Sequence, residues 1–257
     1  MRWAQAVDLT FYANAGVTAI SASMRKLDEH DVEDGVARIQ AAGLRVGSVL
    51  AGLTPFRLAE PASWPAGREQ LLVALDVAQR LDAPVLLTTT GPAGALTWEA
   101  AADAYTEAVA PVAAAARLYG IRLAVEHTHA LRADVGFVHT LRDALDLAAR
   151  CDIDVCLEVN ACWAERSLDD AIRTGIDRIA AVQVSDYAVG THSTPDRLVP
   201  GDGDIPLARI LGGLLSAGYA GDFDLELIGP RIEAEGYAKA VPRAVAALGT
   251  LLADLDG

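Results

Sequence analysis

No apolar run in the sequence approaches the roughly 18–20 residues that a membrane span requires. Its start, Met1-Arg2-Trp3-Ala4-Gln5-Ala6-Val7-Asp8, lacks the apolar core and small-residue cleavage site of a signal peptide. A soluble, cytoplasmic protein is the expectation. Basic clusters are scarce: 21 Lys and Arg stand against 35 Asp and Glu, a formal charge of −14, and only Arg25-Lys26 resembles a cluster. Phosphate backbones are held by clustered Lys and Arg, so a nucleic-acid partner is disfavoured. Cysteines are few and unpatterned. Cys151, Cys156 and Cys162 are odd in number and fit no CxxC spacing, which predicts reduced thiols in or near the core. Linkers, low-complexity stretches and short repeats are also missing, so residues 1–257 read as one domain.

A chain of 257 residues with 52% hydrophobic content is long enough to build a large α/β core. Short apolar runs predict strands at Val17–Ser21, Arg45–Leu50, Pro84–Thr89, Arg122–His127, Ile153–Val159, Ile179–Ser185 and Asp222–Ile228. Amphipathic stretches between them predict helices at Asp31–Ala42, Arg68–Leu81, Trp98–Tyr119, Val138–Ala149, Leu168–Thr174, Leu207–Ala217 and Ala234–Leu255. Gly43, Gly120, Gly175 and Gly218 stand where a left-handed residue ends a helix. Strand–helix alternation of this kind means a parallel sheet, and the expected fold is a (β/α)8 TIM barrel. Seven strands are one short. Trp3, Val7 and Phe11 recur at helical spacing before Gly16, so Gln5–Ala15 reads as a helix and the first barrel strand is missing.

Side chains alternate across a strand, so parity assigns faces. Ile121, Leu123 and Val125 oppose Arg122, Ala124 and Glu126. Ile153, Val155 and Leu157 oppose Asp154, Cys156 and Glu158. Ala180, Val182 and Val184 oppose Ile179, Ala181 and Gln183, and Phe223, Leu225 and Leu227 oppose Asp222, Asp224 and Glu226. The bulky sets suit the surrounding helices, which leaves the other sets pointing into the barrel. Each inward row then ends in Glu126, Glu158, Gln183 or Glu226, at the strand end where barrel active sites are built. Three converging carboxylates repel unless a proton or a cation joins them. Four oxygen donors suit a hard divalent ion. The alternative is four independent strand-end residues, facing solvent or paired with Arg122, Arg166 or Arg197.

At these residues the sequence resembles the sugar phosphate isomerase/epimerase superfamily, the xylose isomerase-like TIM barrels. The carriers are Leu123-Ala124-Val125-Glu126-His127, Val155-Cys156-Leu157-Glu158, Val182-Gln183-Val184-Ser185-Asp186, Arg197 through Pro206 (RLVPGDGDIP) and Gly218 through Glu226 (GYAGDFDLE). The resemblance implies four metal ligands, Glu126, Glu158, Gln183 and Glu226. Glu158 replaces the usual Asp and Gln183 the usual His, although dehydratase members also carry Gln. Ala161 stands where the family places a substrate-binding His. An amide oxygen favours Mg²⁺ or Mn²⁺, with Co²⁺ and Zn²⁺ as alternatives.

The implied chemistry is proton abstraction next to a metal-bound carbonyl of a sugar or polyol-type substrate, with Glu126 and Glu226 as the catalytic acid/base pair. A lyase on the same scaffold (a dehydratase or a C-glycoside-cleaving enzyme) and a non-catalytic barrel are the alternatives. Arg197, His127, His129, Trp163, Asp186 and His192 are the expected substrate-binding residues. For Arg197 the competing role is a salt bridge with Asp202 or Asp204, for Asp186 a turn or cap, and for Trp163 packing. Of His127 and His129 one is expected to contact substrate, with a hydrogen-bonded loop position as the alternative, and His192 would swing in to replace the missing imidazole. Phe56 and Trp64, in the Ala51–Gly67 loop, are expected to form an apolar lid. The expected partners are a small sugar-like molecule and, by analogy, further copies of the chain.

Overall fold

A computed structural model describes residues 5–27 and 31–256. Seven strands follow in chain order: β1 (Ala19–Ser23), β2 (Arg45–Leu50), β3 (Val85–Thr88), β4 (Arg122–Glu126), β5 (Asp154–Glu158), β6 (Ile179–Val184) and β7 (Phe223–Leu225). Each pairs in parallel with the next, giving one sheet of order β1 to β7. Helices cover its outside: α1 (Gln5–Asn14), α2 (Met24–Leu27), α3 (Val32–Ala42), α4 (Trp64–Arg80), α5 (Trp98–Leu118), α6 (Leu141–Cys151), α7 (Val159–Cys162), α8 (Leu168–Gly175), α9 (Leu207–Ser216), α10 (Pro230–Glu235) and α11 (Tyr237–Asp256). The result is a nearly closed TIM barrel that lacks one strand among the described residues.

Helix starts follow their capping residues. Asp31 accepts from the Glu33 N–H, Thr97 from Ala100 and Thr140 from Asp143, satisfying amides that have no intrahelical partner. Gly43, Gly120 and Gly218 take the expected left-handed backbone, whereas Gly175, with φ −102, does not. A Cβ on Gly175 would lie 2.4 Å from the Leu145 side chain, so close packing of α8 on α6 requires it. Gly236 divides the expected last helix into α10 and α11. Helix α1 matches its expected position; Trp3, which helped predict it, lies outside the described residues. Among the described residues no helix is long and apolar enough to cross a membrane.

Leu123, Val125, Val155, Leu157, Val182 and Val184 all lie in the cluster between sheet and helices. Fully burying one such side chain is worth about 1.5–3 kcal/mol. Val85, Leu87, Ala124 and Cys156 form a separate cluster inside the barrel. Ile179, assigned inward by parity, belongs to the outer cluster. The register slips opposite Val155/Cys156, and the extra residue reverses its side. All three cysteines are free and buried.

The open seam lies between β1 and β7. Side chains span it: Ser21 Oγ donates to Asp224 Oδ2 at 2.7 Å, and Arg45 donates to Asp222 at 2.8 and 2.5 Å. A cleft of ≈ 520 Å³ runs along it, lined by residues including Tyr12, Ile20, Leu225, Tyr237, Val241 and Leu248.

Candidate metal centre

The sheet register brings the rim residues together. Glu126 pairs with Cys156, Glu158 with Gln183, and Gln183 with Asp224, so successive tips step around the rim. Glu226 follows β7 and is held by its N–H to the Val184 carbonyl at 3.1 Å. One carboxylate oxygen from each of Glu126, Glu158 and Glu226 lies within 4.8 Å of the others. Gln183 is 1% exposed and its Oε1 has no hydrogen-bond donor. An unmatched buried acceptor costs about 1–3 kcal/mol, which a cation at the rim would remove. The donor set fits a hard divalent ion.

A cation of the chain's own already enters this cluster. Arg197 Nη2 donates to Glu158 Oε2 at 3.0 Å and to Glu226 Oε2 at 2.6 Å. The expected alternative pairing with Asp202 or Asp204 does not form; Asp202 pairs with Arg243 at 2.6 Å. Burial raises the proton affinity of all three carboxylates, but their neighbours differ. Burial and the nearby Glu226 charge push Glu126 up to about 8. Burial likewise holds Glu158 well above the usual range, against the pull of Arg197. At Glu226 the burial effect is outweighed by Arg197 and by hydrogen bonding with Glu158, and its proton affinity falls below the ordinary value.

The other expected contacts divide. His129, Trp163 and a residue the sequence reading passed over, Tyr187, form an aromatic row. The His129 and Tyr187 rings stack at 6.5 Å and 29°, and Trp163 meets Tyr187 at 6.4 Å and 40°. Its only sequence signal is a place four residues beyond Gln183. His127 is fully buried, and its Nε2 accepts the Glu158 N–H at 3.2 Å, which braces the tip of β5. Asp186 takes the turn role. Its carboxylate accepts from the amides of Tyr187, Gly201, Gly203 and Ile205, which folds the PGDGDIP loop around it. That loop in turn fixes Arg197, because Asp186 and Leu198 exchange backbone hydrogen bonds at 2.9 Å. His192 is exposed, as is Arg166. Phe56 and Trp64 form no lid: both are buried, Phe56 edge-on against Tyr105 at 5.9 Å and Trp64 opening α4.

A parallel barrel with a carboxylate and amide cluster at the C-terminal ends of four strands defines a TIM-barrel protein with an enzyme-like rim. The chain belongs to the xylose isomerase-like TIM barrel family, whose model matches residues 9–248. Solved structures share the fold. A protein from Sinorhizobium meliloti 1021 is 25% identical with a TM-score of 0.81, covering 95% of this chain and 90% of that one. The IOLI protein with a bound zinc atom is 16% identical with a TM-score of 0.78, over 97% of this chain and 91% of that one. A D-psicose 3-epimerase from Clostridium cellulolyticum H10, with D-tagatose, is 18% identical with a TM-score of 0.76, over 97% and 93%. No curated protein matches the sequence.

Proposed function

We propose that the protein is a divalent-metal-dependent isomerase or epimerase of a sugar or polyol-type carbonyl compound. The observation that carries this reading is the convergence of Glu126, Glu158 and Glu226 within 4.8 Å beside the unmatched amide oxygen of Gln183. The epimerase and the zinc-bound protein among the structural neighbours support it. A divalent ion held by these four residues supplies electrostatic stabilisation of the negative charge that develops on a substrate carbonyl. Mg²⁺ or Mn²⁺ suits the oxygen-only donors best.

The chain's own groups handle the proton. Glu226, one of the three converging carboxylates, is the group assigned to take a proton from the carbon next to the carbonyl. Glu126, the second carboxylate of the pair, is the group assigned to return one. Arg197 is placed to orient substrate oxygens, and the aromatic row to cover the apolar face of a sugar ring.

Solvent-deuterium incorporation into candidate ketoses by the Mn²⁺-loaded protein tests the reading. Glu226→Gln is expected to lower exchange by about 10²–10⁴-fold while metal remains bound. Retained exchange removes Glu226 as the base. A lyase reading is favoured by Gln183 and by Ala161, which departs from the isomerase pattern; release of water or an aglycone from the substrate distinguishes it.

A further inference from the structure

We propose that Arg197 is the resident counter-cation of the rim: its guanidinium and a divalent ion compete for the same carboxylate oxygens, and the ion must displace it to bind. The inference rests on the metal-dependent reading above and adds an order of events to it. Metal enters first, and the arginine is released to a ligand only afterwards.

The hydrogen-bond inventory is the first support. A guanidinium carries five N–H donors, and only those of Nη2 are matched, both by rim carboxylates. Nε and Nη1 are buried with no acceptor, in a side chain only 9% exposed. An arginine with a purely structural duty would have its buried donors matched, because each unmatched one carries a desolvation cost. Unmatched donors on a buried guanidinium describe a group with acceptors still to meet.

Lone-pair geometry is the second. Glu158 Oε1 already accepts the Asn160 N–H at 2.8 Å and Arg197 holds Oε2 at 3.0 Å, so both of its oxygens are engaged within the chain. The nitrogen sits 2.6–3.0 Å from its two acceptors. Mg²⁺ requires oxygens at about 2.0–2.1 Å, so a metal draws the same carboxylates closer than the guanidinium does. Two cations competing for the same pair of oxygens also repel one another.

Freedom to move is the third. The Arg197 backbone is pinned, its N–H donating to the Ile228 carbonyl at 3.0 Å and the adjacent Leu198 pairing with Asp186. Release is therefore a swing of the long side chain on a fixed anchor, with no loop refolding.

The test combines affinity and structure. Calorimetric titration of Mn²⁺ into metal-free wild type and Arg197→Met is expected to show at least tenfold tighter binding by the variant. Crystal structures of the wild type with Mn²⁺ and with chelator are expected to show both Nη2–carboxylate contacts only in the chelated form. Equal or weaker Mn²⁺ binding by Arg197→Met overturns displacement, as does an Mn²⁺-loaded wild type that keeps both contacts. The paired wild-type structures decide the matter even if the variant does not fold. Wild type that binds Mn²⁺ without moving Arg197 sinks this inference alone. Failure of both proteins to bind Mn²⁺, Mg²⁺, Co²⁺ or Zn²⁺ sinks the metal-dependent reading and this inference with it.

Discussion

His127 shows how one histidine can brace a site through a backbone amide. Burial pulls its proton affinity down to about 3, and its ring nitrogen must stay unprotonated to accept the Glu158 N–H. The unfolded chain takes up that proton near pH 6.5, and the folded chain only near pH 3. Stability is therefore complete above pH 6.5 and falls as the pH drops toward 3, by at most about 1.4 kcal/mol per pH unit from this group. Urea denaturation across that range checks it: His127→Gln, which keeps an acceptor and cannot titrate, is expected to flatten the slope. A slope identical to wild type removes His127 as its source. The same residue marks a limit of reading by sequence. His127 directly follows Glu126, and the sequence left open whether it contacts substrate or is a hydrogen-bonded loop residue. Strand alternation, the rule that found the four rim residues, puts residues one apart on opposite faces. Tyr187 lay beyond the reach of that rule, because it stands in a loop past the end of β6.

Among the elements, the loop between β6 and α9 depends most on close fit. Asp186 gathers four backbone amides, and Gly203 passes so near that a Cβ would lie 2.4 Å from Asp186 Oδ1 and 2.6 Å from the Tyr187 carbonyl. Gly203→Ala is expected to destabilise the protein by about 1–3 kcal/mol in chemical denaturation. Gly213→Ala in α9, where a Cβ meets nothing within 4 Å, serves as the control and is expected to be neutral or mildly stabilising. Equal effects of the two substitutions refute the close-fit account. Regular elements were legible in the sequence because periodicity and caps are local: β2 matches its expected bounds, and α5 differs by one residue at its end. Two errors came from tertiary effects. The slip beside Val155 reversed Ile179, and the segment holding Phe56 and Trp64 was drawn into the core.

For the whole molecule, the unpaired ends of the sheet set the pattern of local stability. Residues of β3 are all buried, whereas those of β7 are half-buried throughout, as are all but one in β1. Amides of β1 and β7 that face the seam have no ladder partner among the described residues. Hydrogen exchange is expected to be faster in β1 and β7 than in β4 and β5, reporting openings well below global unfolding. Protection in β1 and β7 equal to that of β4 counts against a true opening. The missing strand was legible because a helical repeat occupied the place where a strand and crossover were needed. How the gap is spanned was not, since Ser21 and Asp224 lie 203 residues apart.

The seam also bears on the rim it borders. Glu126 and Glu158 stand on strands clamped by neighbours on both sides, but Glu226 extends a strand bound on one side only. A sheet fastened at its seam by side chains has no backbone rungs there to set its girth, and Glu226 extends that edge. On that side the span between the carboxylates is set by the seam's side-chain contacts and not by a ladder. A closed eight-strand ring would hold the same donors at one fixed gauge.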